Sequence, residues 1–243
     1  MKIIKLSAID STNDFLKNLA RKEAVENYTT VVTQSQTKGK GQMGSTWDSE
    51  TGKNLIMSVL IKDLLLNAEA IFHLNVAVSL AVIQVLEELK IPKISIKWPN
   101  DIMSDNKKIA GILIENSFKS DNRIESIVGI GLNVNQNNFS NLPKASSLAV
   151  ITNIEFDLNM LLDKVLFQIK RNCALISTGQ ISFLWANYHD NLFKKGIPMA
   201  FEDLDGNQFM GIIQEVTGDG NLKLLLEDDS EKFYGVKQIQ MLY

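Results

Sequence analysis

Two short runs of this sequence combine residue types suited to handling anions. The first, Gly39-Lys40-Gly41-Gln42-Met43-Gly44, interleaves glycines with a cation and an amide, and Trp47 follows it. Glycines let backbone N–H groups come close to a phosphate, a lysine supplies a point charge, and an indole can stack on a purine or close over a ring. No Gly-Lys-Ser/Thr end is present, so this is not a Walker loop, and it lacks the form of a dinucleotide fingerprint that ends in a helix. On composition alone a mobile hairpin connection explains it equally well. The second run is Lys97-Trp98-Pro99-Asn100-Asp101, followed by Lys107-Lys108-Ile109-Ala110-Gly111-Ile112-Leu113-Ile114-Glu115. A hairpin here brings Asn100, Asp101 and Lys108 together, setting a metal-binding carboxylate beside a cation for a carboxylate or phosphate. A charged hairpin tip is the plainer reading. In a third run, Val128-Gly129-Ile130-Gly131-Leu132-Asn133-Val134, two glycines interrupt a strand. That weakens the strand unless a ligand or a packed helix must approach its backbone.

The flanking pattern supplies elements that can position these runs. The start, from Met1 to Leu6, reads as a strand, and Ser11-Thr12-Asn13-Asp14 caps an amphipathic helix with Phe15, Leu16 and Leu19 at helical spacing. Strands are expected over Thr30–Thr33 and Asn54–Ile61, with the periodicity lost between Ser35 and Gly44. A long helix from about Glu69 to Leu89 is apolar nearly all round, and a strand from Lys93 to Trp98 stops at Pro99. Hairpin arms over Asp101–Met103 and Lys108–Asn116, turning at Ser104-Asp105-Asn106, lead to a strand at Ile124–Leu132. Asn135 to Ser147 reads as a surface loop, and Leu158–Leu175 and Ile181–Leu192 as helices. After Pro198 the texture changes to short alternating segments (Pro198–Phe201, Gln208–Glu215, Leu222–Leu226, Glu231–Tyr234) with turns at close spacing, the signature of a small β-barrel or sandwich.

Composition bounds the rest. With 243 residues, 45% hydrophobic and 22% charged, the chain can bury a sizeable core in one large domain, or one large and one small. Its net charge of −3 is spread out, which argues against a nucleic-acid surface or a membrane-surface helix. The uncharged stretch Ala70–Leu86 falls short of a membrane span. The single cysteine, Cys173, lies in an apolar helical stretch, so no disulfide framework forms within the chain and the thiol is a buried bystander. With no signal-peptide core at the start, cytoplasmic residence is expected. His73 reads as a core or edge histidine, His189 as a helix-end residue, Trp185 as helix or interdomain packing, and Trp98 as packing behind the site.

Taken together the three runs resemble the biotin protein ligase family. The matching pieces are Ser11-Thr12-Asn13, Gln36, the Gly39-to-Gly44 loop with Trp47, Lys97-Trp98-Pro99-Asn100-Asp101, Lys108-Ile109-Ala110-Gly111-Ile112-Leu113-Ile114-Glu115, and Gly129-Ile130-Gly131-Leu132-Asn133. Their order fits across roughly residues 7 to 150, and the Lys-Trp-Pro-Asn-Asp run with its following Lys-Ile-Ala-Gly-Ile-Leu is the specific part. The resemblance implies an α+β fold. A mixed sheet with flanking helices, of the class II aminoacyl-tRNA synthetase-like kind, would span residues 1–193, and a small SH3-like β-barrel 194–243. It implies formation of biotinyl-5'-AMP from biotin and MgATP, then transfer of biotin to a lysine of a biotin carboxyl carrier protein domain.

Carried over, Ser11, Thr12, Asn13 and Gln36 contact the ureido end of biotin, with Gly111, Gly129 and Gly131 lining its site. Lys108 contacts the biotin carboxylate and the adenylate phosphate, and with Lys40 it is the implied catalytic pair. Gly39, Lys40, Gly41, Gln42, Met43 and Gly44 cover the anionic intermediate, and Trp47 packs over adenine. Asn100 and Asn133 attend the nucleotide, and Asp101 meets Mg2+. Lys40 and Gln42 depart from the family, which often has arginine at both places. The family pattern begins within about ten residues of Met1, so a DNA-binding repressor role is not expected; relatives are often homodimers, and the resemblance allows one here. The rivals are a lipoate or octanoyl transferase or ligase, whose Arg-Arg…Gly-Gly-Gly loop is not found, and a biotin-binding regulator without catalysis.

Overall fold

The computed structural model describes residues 2–64, 70–119 and 123–243. Seven strands build the larger sheet: β1 (Ile3–Leu6), β2 (Thr30–Thr33), β3 (Leu55–Lys62), β4 (Ile94–Lys97), β5 (Asp101–Ser104), β6 (Lys107–Phe118) and β7 (Ile124–Leu132). Their order is β1-β2-β3-β7-β6-β5-β4, with β1 and β2 parallel and every other pair antiparallel. The expected hairpin is present: β5 and β6 are joined at Asp105-Asn106, and Asp105 takes the left-handed φ of 52° that aspartate tolerates in tight turns.

Alternation along the central strands divides the core between two faces. Met57, Val59 and Ile61 of β3 face α2 (Ile71–Glu88) and α4 (Leu158–Ser177), whereas Leu60 joins Val31 and Ile127 beneath Leu16 of α1 (Thr12–Lys22). The α1 start is fixed by Ser11, whose hydroxyl accepts from Asp14 N, and its last turn carries Arg21 and Lys22 where the helix dipole favours cations. The remaining helices are α3 (Leu148–Thr152) and α5 (Ile181–Asp190). By length and composition α2 would pass as a membrane span, but 67% of it is buried within the protein, as befits a core helix. Glu69, where this helix was expected to begin, lies outside the described residues.

A second, antiparallel sheet contains β8 (Pro198–Asp203), β9 (Gln208–Val216), β10 (Leu222–Leu226), β11 (Glu231–Tyr234) and β12 (Ile239–Leu242), in the order β11-β10-β9-β8-β12. The small C-terminal β unit is therefore there, but among the described residues no ladder joins β11 to β12. The sheet is consistent with the SH3-like unit expected, with no closure into a full barrel found among the described residues. It meets α2, α5 and Trp98 along an aromatic seam. Trp98 Nε1 donates to Gly220 O (2.9 Å), His189 Nε2 lies 2.9 Å from Val216 O, and Phe72 stacks on Trp185 with ring centres 6.0 Å apart. Gly220, at φ 90°, leaves room for the Phe72 ring that a Cβ would strike.

A candidate acid-binding and nucleotide-binding site

The register of the large sheet makes two notches on its α1 face. Ser58, Gly129 and Leu113 stand side by side on β3, β7 and β6, and the next row reads Ile56, Gly131, Gly111 and Asp101. Where neighbouring strands would present side chains, these glycines present bare backbone. The chain fills both notches itself. Asn13 sits on Gly129 so closely that an added Cβ would overlap its Oδ1, and the Trp47 indole lies against Gly131 and Gly111 in the same way. The glycine spacing had left a ligand or a packed helix as alternatives; the contacts are to a residue on helix α1 and to a loop tryptophan.

Asn13 is held on every side. Its Oδ1 and the Thr12 hydroxyl lie 2.6 and 2.7 Å from Ser58 Oγ, and its amide donates to Glu115 Oε2 at 2.9 Å. Glu115 in turn pairs with Lys17 at 3.0 Å. Gln36 Oε1 accepts from the Thr12 N–H (2.8 Å) and hydroxyl (3.1 Å), tying the helix start to the loop before Gly39. This end of the site is polar and neutral apart from the Glu115–Lys17 pair.

The other end carries Lys108, and Lys40 reaches in from the loop. Lys108 Nζ pairs with Asp101 at 2.6 Å and lies 5.6 Å over the Trp47 ring. Lys40 pairs with Asp14 at 2.6 Å, and that hydrogen bond raises the lysine's pKa, so the ammonium stays charged. The glycine run is a small folded-over loop. Trp47 N–H donates to Gly39 O, Gly41 N–H to Ser45 O, and a single turn of 3-10 helix spans Gln42–Gly44. A Cβ at Gly41 would push Ser45 Oγ off its hydrogen bond to Gln42 O. Asn100 bridges the hairpin by donating to Ile112 O at 2.7 Å.

These residues surround one cavity of about 210 Å³. Ser11, Thr12, Asn13 and Gln36 line it at one end, Lys40, Gly41, Gln42 and Trp47 above, Asn100, Asp101 and Lys108 at the other end, and Gly111, Gly129 and Gly131 below. Gly39 stands just behind, against Trp47 and Gln36, and Gly44 closes the 3-10 turn at φ 87°. The Met43 side chain is outside the described residues. Asn133 is not brought to the cavity: it is buried and donates from its amide to Ser146 O at 3.0 Å, so its visible work is holding the 144–148 segment. Ser58 and Glu115 are polar anchors for which the sequence offered no role, because one is a lone serine in a buried apolar strand and the other reads as the end of a hairpin arm. One buried polar atom in the site lacks a partner, Trp47 Nε1. Among the described residues no group of three or more His, Cys, Asp or Glu is assembled, so Asp101 is a single carboxylate and not part of a metal cage.

Such a cavity, hydrogen-bonding at one end, with Lys108 at the other and Lys40 above, has the polarity of a site for a small acid with a polar head. The chain belongs to the biotin/lipoate A/B protein ligase family, whose model matches residues 6–135. It is 32% identical over 240 residues, covering 96% of this chain and 72% of the relative, to the bifunctional ligase/repressor BirA of Bacillus subtilis. It is 27% identical to the biotin–[acetyl-CoA-carboxylase] ligase of Mycobacterium tuberculosis, over 88% of this chain and 79% of that one. The fold is similar to that of the biotin protein ligase of Aquifex aeolicus in complex with biotin and ATP, at TM-score 0.81 and 27% identity, covering 99% of this chain and 98% of the other.

Proposed function

We propose that this protein is an ATP-dependent biotin protein ligase that joins biotin to a lysine of a biotin carboxyl carrier domain. The observation that carries the proposal is the polarity of the cavity: hydrogen-bonding groups around Thr12, Asn13 and Gln36 suit a ureido ring, and Lys108 and Lys40 suit a carboxylate and then a phosphate. The relatives named above support it.

In this reading a carboxylate oxygen of biotin attacks the α-phosphorus of ATP, and the bond to the β-phosphate oxygen breaks as pyrophosphate leaves. Two anions must meet, so the chain's own contribution is charge: Lys108 exchanges its aspartate partner for substrate oxygens and offsets the repulsion, and Lys40 adds its charge from the loop while staying paired with Asp14. Asp101, once Lys108 turns to substrate, would be the residue to hold a magnesium ion, which would supply further positive charge against the phosphates. The product is a mixed anhydride that water would destroy. The loop from Gly39 to Trp47 lies over the cavity and excludes water until the acceptor amine attacks the acyl carbon and AMP departs. Biotin-dependent exchange of labelled pyrophosphate into ATP tests the first half-reaction. Exchange that needs biotin supports the proposal, and exchange that is absent, or equally driven by lipoate, overturns it.

A further inference from the structure

The hydrogen bonds around Asn13 run in one direction, and a carboxylate outside the cavity sets it. Glu115 stands on β6 and is not among the residues that line the cavity. One of its oxygens accepts from Lys17 at 3.0 Å and the other from the Asn13 amide at 2.9 Å. The second amide proton of Asn13 is directed to Leu113 O, 3.4 Å away. A carboxylate paired with an ammonium accepts and does not donate, so the Asn13 nitrogen must face Glu115 and its carbonyl oxygen must face Ser58.

That orientation propagates. Asn13 Oδ1 can only accept, so the single proton of Ser58 goes to it across 2.6 Å. Ser58 Oγ is left to accept from Thr12, whose one hydroxyl proton lies between Ser58 Oγ at 2.7 Å and Gln36 Oε1 at 3.1 Å. Gln36 Oε1 also takes the Thr12 N–H at 2.8 Å, while Gln36 Nε2 has no acceptor among the described residues. The protons of Asn13, Ser58 and the Thr12 hydroxyl are therefore all used inside the protein. Of the side chains that line this end, Thr12 and Asn13 keep only oxygen lone pairs for an occupant, and Gln36 keeps one donating amide.

We propose that Glu115, held by Lys17, is a positioning residue that determines specificity: it fixes the donor and acceptor pattern of the polar end from outside the cavity. Two acceptors beside one donor complement a head that carries N–H groups next to a carbonyl, as a cyclic urea does. They do not complement a head that offers acceptors alone, or an apolar ring, because buried lone pairs are then left without protons. The identity of the head rests on the ligase reading above. The direction of the hydrogen-bond chain rests on Glu115 alone.

The test is calorimetric titration of the full chain with two ligands: biotin, and the analogue with a ring oxygen in place of one ureido N–H, which turns a donor into an acceptor at the same shape. The readout is the ratio of the two dissociation constants, because damage to the fold weakens both ligands and leaves the ratio standing. The parent is expected to favour biotin on the order of tenfold or more, as for one matched hydrogen bond. In Glu115→Gln the Lys17 ammonium claims the one remaining oxygen, so the new amide nitrogen faces Asn13 and the Asn13 amide turns over to present donors. The preference for biotin should then fall on the order of tenfold. In Asn13→Asp/Glu115→Gln the carboxylate and the amide change places, the direction of the chain is restored, and the ratio should return toward the parent's. A ratio unchanged in Glu115→Gln overturns the role, and so does a double variant whose ratio stays with that of the single one. A parent chain that binds neither ligand brings down the ligase reading, and the assignment of the head with it, whereas a parent that binds biotin while Glu115→Gln keeps the parent's ratio brings down the role of Glu115 alone.

Discussion

Replacing Gly129 by alanine adds a single methyl group at the floor of the cavity, and the structure says what it must displace. The new Cβ would overlap Asn13 Oδ1, with the Asn13 Cγ 3.1 Å away, so the amide has to rotate off the strand. Doing so breaks its contact with Ser58 and its hydrogen bond to Glu115. At about 1 kcal/mol for each hydrogen bond, the displaced amide costs the folded protein about 2 kcal/mol, and a ligand whose head hydrogen-bonds to that amide loses about 1.4 kcal/mol of its own, roughly a tenfold rise in its dissociation constant. Strand stability moves less, because alanine in place of an interior glycine returns about 0.5–1 kcal/mol. Titration calorimetry with biotin, beside a thermal melt, separates the two effects. Asn13→Ala placed on top of Gly129→Ala should add little, since the first change has already removed the amide from its place. Biotin affinity within about threefold of the parent in Gly129→Ala would refute the claim that Asn13, seated on that glycine, orders the neutral end of the cavity.

Lys108→Ala should lower biotin-dependent pyrophosphate exchange on the order of 10²-fold or more, the loss expected when one charge-stabilising group is removed; near-parental exchange would take Lys108 out of its role. Asp14→Asn keeps the side-chain shape but removes the charge that holds Lys40, so the loop should open more often and the intermediate should hydrolyse faster without an acceptor. That is read as AMP released per biotin transferred, and an unchanged ratio would show that the pair does not hold the loop. Trp185 N–H donates to His73 Nδ1 at 3.3 Å, which requires that nitrogen unprotonated, and burial lowers the histidine's pKa. A depressed folded-state value means that the unfolded chain takes up the proton first, so stability should fall as pH drops below the ordinary histidine value of about 6.5. His73→Gln should flatten that slope in melts between about pH 7 and pH 5, and an undiminished slope would place its origin elsewhere.

How much of this could be read from residues alone depended on range. Elements set by local pattern were legible: Ser11 as a cap, the Asp105-Asn106 turn, and the alternation that puts Asp101 and Lys108 on adjoining strands. Gly129 and Gly131 announced a close approach to a strand, but which atoms approach depends on pairing between β3, β7 and β6, and spacing cannot give that register. Ser58 gave no signal because a lone serine in a buried strand is compatible with many neighbours. The helix α3 was missed because five residues are too few to show a helical period, and the strand β12 went unread as well. Tyr243 was missed with them, since the two lysines over its ring, Lys97 and Lys144, lie 146 and 99 residues away in sequence. Asn133, read as a nucleotide residue from its motif, turns its amide to Ser146 and does not line the cavity.

The most direct test of the ligase account is transfer of labelled biotin to an apo biotin carboxyl carrier domain in the presence of MgATP, run beside labelled lipoate and beside a reaction without the carrier. The account predicts a labelled carrier with biotin alone, abolished when the carrier's acceptor lysine is replaced. Labelling by lipoate instead, or biotin bound with no carrier labelled, would contradict it.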